Sequence, residues 1–169
     1  MPTPVDTSYE RHCQWMLRAL ELAAIAGGAG DVPVGAVVVD EHNGLIAEAG
    51  NCRERQHDPT GHAEAIALRR AGQVRQNWNL SGCTLYVTLE PCPMCAGAII
   101  LSRVSRLVYG TDDSKAGAIR TVLNLPDSAA SNHRLTVLTG ILAGPCQTQL
   151  QEWFAQRRQS SATTATELS

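Results

Sequence analysis

The segment TLEPCPMCAG, residues 88–97, constrains the fold more than any other part of this chain. It ends the β-branched run CTLYVTLE, which is typical of a buried strand, and leads into CAGAIILSR, which is typical of a helix. Cys92 and Cys95 therefore stand three residues apart at the start of a predicted helix, where both sulfur atoms can face the same way. The exposed N–H groups and the dipole at a helix start favour thiolates. The segment thus predicts a strand-to-helix junction with two potential metal ligands.

A second motif, His62-Ala63-Glu64, lies about thirty residues upstream and opens another predicted helix, HAEAIALRRAG. Two thiolates and the His62 imidazole suit zinc, and three protein ligands leave a fourth position for water. Glu64 lies in the first turn of the same helix, where its carboxylate can point into the same cleft. An acid beside the metal that does not bind it can move protons. The pattern H-x-E…P-C-x-x-C is a signature of zinc deaminases that act on bases.

A closed zinc site that only stabilises the fold is the alternative interpretation. It needs a fourth ligand, and Cys52, His57 and Cys83 are the candidates. Cys83 begins the strand that leads towards Cys92, so its sulfur is expected at the far end of that strand. Cys52 and His57 lie in the polar segment NCRERQHDPT, where a ligand role stays open. Glu64 favours the catalytic interpretation, because a structural zinc site has no need of an acid there.

The rest of the chain predicts alternating strands and helices. Apolar residues at helical spacing from Tyr9 to about Ala26 predict a first helix, which GGAG ends. The strands PVGAVVVD and LIAEAG follow, and the pair Asn43-Gly44 between them indicates a hairpin. Further predictions are a stop at Gly72 for the helix that His62 opens, the strands RLVYG and RLTVLTG, and a closing helix PCQTQLQEWFAQRR. This order predicts an α/β fold with helices on both faces of a mixed sheet.

The overall composition suits one globular domain. The 169 residues predict a single domain over residues 1–158, and the small polar residues 159–169 predict a disordered C-terminal tail. No apolar run approaches the ~18 residues that span a bilayer, and no signal peptide is apparent, so we expect a cytoplasmic protein without membrane association. The net charge of −2 argues against coating of nucleic acid by bulk electrostatics. Residues 103–158 nevertheless carry seven Lys and Arg against four acids.

Beyond these motifs, the chain resembles the cytidine deaminase superfamily and, within it, the bacterial tRNA-specific adenosine deaminases. Gly61 departs from the family's usual alanine before the zinc histidine, and Asp112 stands where a basic residue is common. The resemblance implies a three-layer α/β/α cytidine-deaminase-like fold with a central mixed five-stranded sheet. The segments that resemble the family's successive blocks are VPVGAVVV, HDPTGHAEAIALR, TLYVTLEPCPMCAGAII, SRVSRLVYG, NHRLTVLTGILA and WFAQRR.

The resemblance also implies a reaction, the zinc-dependent hydrolytic deamination of adenosine to inosine at the wobble position of a tRNA anticodon. His62, Cys92 and Cys95 would hold one Zn²⁺ per subunit. Glu64 would carry protons between water, the purine N1 and the departing ammonia, and Asn51 is similar to the family's asparagine that hydrogen-bonds the purine. The family is homodimeric and holds the anticodon stem-loop across both subunits. Further candidates for the pocket mouth or RNA contact are His57, Asp58, Asp113, Lys115, Asn132, His133, Arg134, Arg157 and Arg158.

Two other functions stay open at this point. A deaminase of free guanine, cytosine or cytidine would use the same zinc ligands, because these supply the water and not the substrate pocket. The basic segments WFAQRR and NHR favour RNA over a free base. A zinc-stabilised binding module without catalysis is the alternative from another class, and Glu64 argues against it.

Overall fold

A computed structural model of the chain describes residues 7–167, with side chains for residues 8–160. Over these residues the chain forms four helices and five strands. The helices are α1 (Thr7–Gly28), α2 (Ala63–Arg75), α3 (Pro93–Leu101) and α4 (Ala143–Glu167). The strands are β1 (Gly35–Val39), β2 (Leu45–Gly50), β3 (Thr84–Leu89), β4 (Arg106–Thr111) and β5 (Thr136–Thr139).

The strands form one mixed sheet in the order β2-β1-β3-β4-β5. β1 is antiparallel to β2 and β3, whereas β3, β4 and β5 are parallel. The predicted β1–β2 hairpin is confirmed. Asn43 takes the left-handed conformation with φ 66°, and the Asp40 carboxylate accepts hydrogen bonds from the backbone N–H groups of His42 and Gly44. The turn is therefore stabilised by its own side chains.

Both faces of the sheet are buried, because strand side chains alternate between two cores. Ala36 and Val38 of β1 pack in the core that α2 and α3 cover. Val37 and Val39 pack in the core on the α1 and α4 side. A Cβ atom at Gly35 would lie 1.9 Å from the carbonyl oxygen of Ala19, so glycine lets α1 rest directly on the sheet. The predicted three-layer α/β/α fold is confirmed.

Two helix ends differ from the prediction. α2 passes through Gly72 and stops at Arg75, because Gln76 adopts the left-handed conformation that closes the helix. α4 continues to Glu167 and so includes residues 159–167, which were predicted to be a disordered tail. No proline or glycine follows Pro145, so the helical hydrogen-bond pattern can continue. Residues 168–169 of that tail and residues 1–6 of the predicted domain lie outside the described residues.

Among residues 7–167, none of the helices combines the length and the apolar composition that crossing a bilayer requires.

The topology brings the two sequence motifs together at one edge of the sheet. Leu89 at the end of β3 pairs with Thr111 at the end of β4, so these parallel strands finish side by side. α3 begins directly beyond β3, and α2 packs beside α3 on the same face. The starts of both helices thus lie near the C-terminal ends of parallel strands, where α/β folds place their sites.

Candidate metal centre and substrate cavity

His62, Cys92 and Cys95 converge at the starts of α2 and α3. His62 is the residue before the first turn of α2, and Cys92 occupies the same position in α3, where Pro93 begins the helix. Neither side chain bonds to its own helix end, so both are available for other contacts. The Nδ1 atom of His62 lies 3.5 Å from Sγ of Cys92 and 3.6 Å from Sγ of Cys95. All three ligand atoms lie within 4.8 Å of one another.

This spacing fits a tetrahedral zinc ion. Zinc bonds of about 2.0–2.1 Å to nitrogen and about 2.3 Å to sulfur place two such ligands roughly 3.6 Å apart. Two sulfurs and one imidazole are also the donor set that zinc prefers. Of the described residues, no fourth His, Cys, Asp or Glu joins the cluster. The three residues could hold a metal ion and leave a position open.

Cys52, His57 and Cys83 do not supply the fourth ligand that a closed zinc site requires. The Cys83 thiol lies just before β3 and accepts a hydrogen bond from Nη1 of Arg75 at 3.3 Å. Cys52 is buried and faces a different cavity, and His57 is exposed in a turn with φ 51°. In the described part of the chain, the cluster thus has three potential protein ligands and lacks the fourth that a closed zinc site requires.

The hydrogen bonds within the cluster favour the thiolate form at Cys92, whereas the hydrogen bond to Cys92 and burial raise the pKa of Cys95. A hydrogen bond from Cys95 and, after it, one from His62 lower the pKa of Cys92 to about 4. The hydrogen bond to Cys92 also raises the pKa of His62. Cys92 is therefore poised as a thiolate, the form in which cysteine binds a metal.

Glu64 is buried beside the cluster, in the first turn of α2, with 4% of its surface exposed. Burial removes water from its carboxylate and raises its pKa to about 7. The side chain belongs to the wall of a cavity of about 220 Å³ that His62 and Cys92 also line. A carboxyl group with such a pKa can accept and release protons near neutral pH, directly beside the candidate metal site.

The same cavity has apolar and polar walls. Val32, Val34 and Leu89 supply the apolar surface, and Asn51 and Asp113 supply polar groups. Such a combination, apolar walls with a few placed polar groups and an acid of perturbed pKa, is typical of a small-molecule or base-binding site.

Comparisons with known proteins agree with this geometry. The MafB19-like deaminase family matches residues 10–158. The tRNA-specific adenosine deaminase of Haemophilus influenzae is 49% identical over 144 residues, which cover 85% of this chain and 83% of that protein. The Bacillus subtilis tRNA-specific adenosine deaminase is 42% identical over 144 residues, covering 85% and 89%. This chain belongs to the tRNA-specific adenosine deaminase family.

Solved structures show the same fold as this deaminase. One, from a study of A-to-I editing by tRNA:A34 deaminases, has a TM-score of 0.79 and 37% identity, covering 81% of this chain and 99% of that one. The guanine deaminase of Nitrosomonas europaea has a TM-score of 0.72 and 28% identity, covering 92% and 86%. The fold is therefore compatible with more than one substrate.

Two of the residues predicted to bind substrate, Asn51 and Asp113, line the cavity of the deaminase. The Asn51 amide donates to the carbonyl oxygen of Val32 at 3.1 Å, and its Oδ1 accepts the backbone N–H of Arg53 at 3.2 Å. One N–H and one lone pair of Asn51 stay available for a base. Oδ1 of Asp113 accepts the backbone N–H of Lys115 at 2.9 Å, and the Lys115 side chain is exposed beside the cavity rim.

His57 and Asp58 are not among the residues that line the cavity of the deaminase. Asp58 uses its Oδ1 to accept the backbone N–H of Thr60 at 2.8 Å, and it lines a separate cavity together with Cys52. The loop that carries them is instead anchored by Asp31, a fully buried carboxylate that accepts the backbone N–H of Glu54 at 2.7 Å.

Asn132, His133 and Arg134 lie just before β5, at the opposite end of the sheet from the cavity. The carbonyl oxygen of Asn132 accepts a hydrogen bond from Nη1 of Arg103, and Nε2 of His133 donates to the carbonyl oxygen of Val104 at 2.6 Å. These three residues do not line the cavity.

Arg157 and Arg158 lie on α4, on the other face of the sheet. Nη2 of Arg157 donates to the carbonyl oxygen of Gly30 at 2.7 Å, and its guanidinium lies 4.3 Å from the ring centre of Trp153. Arg157 therefore connects α4 to the end of α1. Arg158 is exposed.

The sequence patterns missed Glu90, which is 2% exposed and lines the cavity. Burial opposes ionisation of its carboxylate, but hydrogen bonds from Thr121 and from backbone N–H groups outweigh this and lower its pKa. An acid that ends an otherwise apolar strand, directly before Pro91, was the signal available in the sequence.

Proposed function

We propose that this protein is a zinc-dependent hydrolase that converts adenosine to inosine at the wobble position of a tRNA anticodon. The observation that carries the proposal is the buried acid Glu64 beside an open His-Cys-Cys cluster in one cavity. Membership of the tRNA-specific adenosine deaminase family supports the tRNA substrate.

In this proposal, His62, Cys92 and Cys95 hold Zn²⁺ through one nitrogen and two sulfurs. Zinc, when bound there, activates water by lowering its pKa towards about 7. Glu64 takes a proton from the attacking water and delivers it to the purine N1. After the oxygen adds to C6, Glu64 takes a second proton, from the new C6 hydroxyl group, and passes it to the amino group. The C6–N bond then breaks, so that ammonia leaves and C6 becomes the carbonyl carbon of inosine. The burial and raised pKa of Glu64 suit both transfers.

The cavity walls position the base. The free N–H and lone pair of Asn51 can bond to the purine edge, and Val32, Val34 and Leu89 pack against its faces. The adenosine must leave the stack of the anticodon loop to reach this depth. Asp113 and Lys115, at the cavity rim, are proposed to contact the flanking ribose and phosphate groups.

The remaining predicted RNA contacts belong to surfaces away from this cavity. His57 and Asp58 lie in the neighbouring loop, and Arg158 lies on the face that α4 covers. We retain His57 and Asp58 as proposed residues of the pocket mouth and Arg158 as a proposed RNA contact. A tRNA substrate is also our reason for proposing a cytoplasmic location.

A homodimer is part of the same proposal. Apolar side chains are exposed on the layer formed by α2 and α3, among them Val74 at 66%, Leu101 at 71% and Met94 at 38%. Met94 lies between the two cysteine ligands, so a second subunit on this face would approach the cavity. Asn132, His133 and Arg134 are proposed to meet the RNA bound at the partner subunit's cavity.

The experiment measures inosine formation in a tRNA with adenosine at the wobble position, beside free adenosine, guanine and cytidine, with and without a zinc chelator. We expect inosine only in the tRNA, with loss on chelation and recovery on addition of Zn²⁺. Turnover of guanine with untouched tRNA would keep the zinc chemistry and replace the substrate. If the zinc-loaded protein deaminates none of these substrates, the result would favour a zinc-stabilised binding module without catalysis.

A further inference from the structure

Glu90 makes an unusually dense set of hydrogen bonds to one loop. Its Oε1 accepts the backbone N–H groups of Ile119 at 3.1 Å, Arg120 at 2.8 Å and Thr121 at 3.0 Å. Its Oε2 accepts the backbone N–H of Asp113 at 3.0 Å and the hydroxyl of Thr121. All five donors lie in residues 113–121, which we name the rim loop.

The rim loop also packs directly on this carboxylate. A Cβ atom at Gly117 would lie 2.2 Å from Oε2 of Glu90 and 2.6 Å from the carbonyl oxygen of Asp113. The backbone N–H of Ala118 donates to the carbonyl oxygen of Pro91 at 2.9 Å. The loop is therefore fixed to the junction between β3 and α3, next to the cysteine ligands.

Asp113 and Ala116 are the rim-loop residues that line the cavity. Oδ1 of Asp113 also accepts the backbone N–H groups of Lys115 at 2.9 Å and Ala116 at 3.2 Å within the loop. Glu90 holds the loop at both ends, through the Asp113 N–H at one end and through residues 119–121 at the other. The position of Asp113 at the cavity wall thus depends on the carboxylate of Glu90, whose five hydrogen-bond donors all belong to the rim loop.

Only a carboxylate satisfies this arrangement. It offers acceptor sites on both oxygens, whereas an amide replaces one oxygen by an NH₂ group that can only donate. Glutamine at position 90 would turn that NH₂ group either towards three backbone N–H groups or towards the Asp113 N–H and the Thr121 hydroxyl. Each of these donors would lose its partner in a buried site.

We infer that Glu90 is a positioning residue for the substrate: by holding the rim loop, it fixes Asp113 at the cavity wall where the nucleotide binds. The inference rests on the proposed function, since it assigns the loop to recognition of the same substrate. It does not give Glu90 a role in proton transfer.

The test is a double-mutant cycle of Glu90→Gln and Asp113→Ala, measured as kcat/KM on a tRNA anticodon stem-loop with the zinc content of each variant determined. If Glu90 acts through Asp113, Glu90→Gln lowers kcat/KM at least tenfold in the native background, chiefly through KM. In the Asp113→Ala background the same change costs less than about twofold, because the contact it positions is already gone. Zinc content stays at one per chain.

Asp127→Asn is the matched control, because this exposed carboxylate accepts a hydrogen bond from Asn124 and lies outside the rim loop. Its effect is expected to be small and additive with Asp113→Ala. An equal loss from Glu90→Gln in both backgrounds, or a loss that follows zinc content, would overturn the inference and leave Glu90 a purely structural residue.

Thr121→Val serves if Glu90→Gln does not fold, because it removes one donor and leaves the carboxylate in place. It is expected to show a weaker loss with the same dependence on Asp113. Amide hydrogen exchange separates this inference from the proposed function, because it needs no substrate. Faster exchange at residues 113 and 119–121 in Glu90→Gln is expected even if tRNA is not deaminated, and unchanged exchange there would refute the inference.

Discussion

The chemistry of this protein depends on a few side chains whose surroundings change their ordinary properties. Glu64 is an acid with its pKa raised to about 7 by burial, and Cys92 is a thiol with its pKa lowered to about 4 by hydrogen bonds. His62 and Cys92 precede their helices but do not cap them, so their side chains stay free to bind metal.

Glu64→Gln is expected to lower inosine formation by about 10²–10⁴-fold, because glutamine keeps the size of the side chain and cannot carry a proton. Zinc content should remain unchanged, since Glu64 is not a ligand. The measurement is single-turnover deamination of tRNA, with Glu152→Gln, an exposed acid on α4, as the matched control. Full activity of Glu64→Gln would refute the proposed proton transfer.

Cys92→Ser is expected to reduce bound zinc well below one ion per chain, since a hydroxyl is a poor substitute for a thiolate ligand. Cys83→Ser is the matched control, because Cys83 is equally a cysteine next to β3 but lies outside the cluster. Metal analysis of the purified variants gives the answer. Zinc loss in Cys83→Ser would instead indicate the closed structural site.

At the scale of elements, the sequence predicted the strands, the hairpin and the helix starts well, because these depend on local signals. The end of α2 was wrong, since Gln76 and not Gly72 takes the left-handed conformation. Asn132, His133 and Arg134 were predicted to contact RNA, and this stays a prediction. The parallel pairing of β5 with β4 places them at the other end of the sheet, and this non-local pairing has no local sequence signal.

The site likewise contains residues that the sequence predicted and residues that depend on non-local contacts. The candidate metal cluster was predicted from motif spacing, and the placement of Asn51 at the cavity was predicted from the family resemblance. Glu90 escaped notice because its five donors come from a loop more than twenty residues away, and nothing in that loop's sequence identifies a shared acceptor. Asp58 was assigned to the pocket mouth, but its carboxylate bonds to Thr60 in its own turn.

Arg157 and Arg158, predicted together as RNA contacts, are expected to behave differently. Arg157→Ala removes the hydrogen bond to Gly30 and the stacking on Trp153, and should lower the free energy of unfolding by about 1–2 kcal/mol. Arg158→Ala should leave the free energy of unfolding within about 0.5 kcal/mol of the native value. Urea denaturation measures both, and equal stabilities would contradict the structural role of Arg157.

At the scale of the whole molecule, apolar side chains form two cores, one on each side of the sheet. Neither core includes His62, Cys92 or Cys95. The fold therefore has its own source of stability, and the proposed zinc ion would add to it by binding the native state. We therefore expect the protein to differ from small domains that unfold without their metal.

Removal of zinc by a chelator is expected to abolish deamination while the far-ultraviolet circular dichroism stays that of a folded protein. The melting temperature should fall and then recover with added Zn²⁺, with a stabilisation of about 2.7 kcal/mol when free zinc is a hundred times its Kd. Complete unfolding on chelation would show that zinc holds the fold, as in the structural alternative.

Leu101→Lys is expected to shift the protein from dimer to monomer, because it places a charge on the exposed apolar surface of α3. Leu17→Lys, a change at a residue 53% exposed on α1 and on the opposite layer, should leave the dimer intact. Sedimentation velocity at micromolar concentration measures both variants. A native protein that is already monomeric there would refute the proposed dimer.

The close packing of Gly117 on Glu90 has a consequence for anyone who wishes to redirect this deaminase towards another base by laboratory evolution. Randomising the whole rim loop would spend most of a library on sequences that collide with the carboxylate or abandon its donors. Ser114, Lys115 and Ala116 are exposed, and none of them bonds to Glu90. A library restricted to these three positions, with Gly117 and Thr121 held constant, varies the rim of the cavity and preserves the hydrogen bonds between the loop and Glu90.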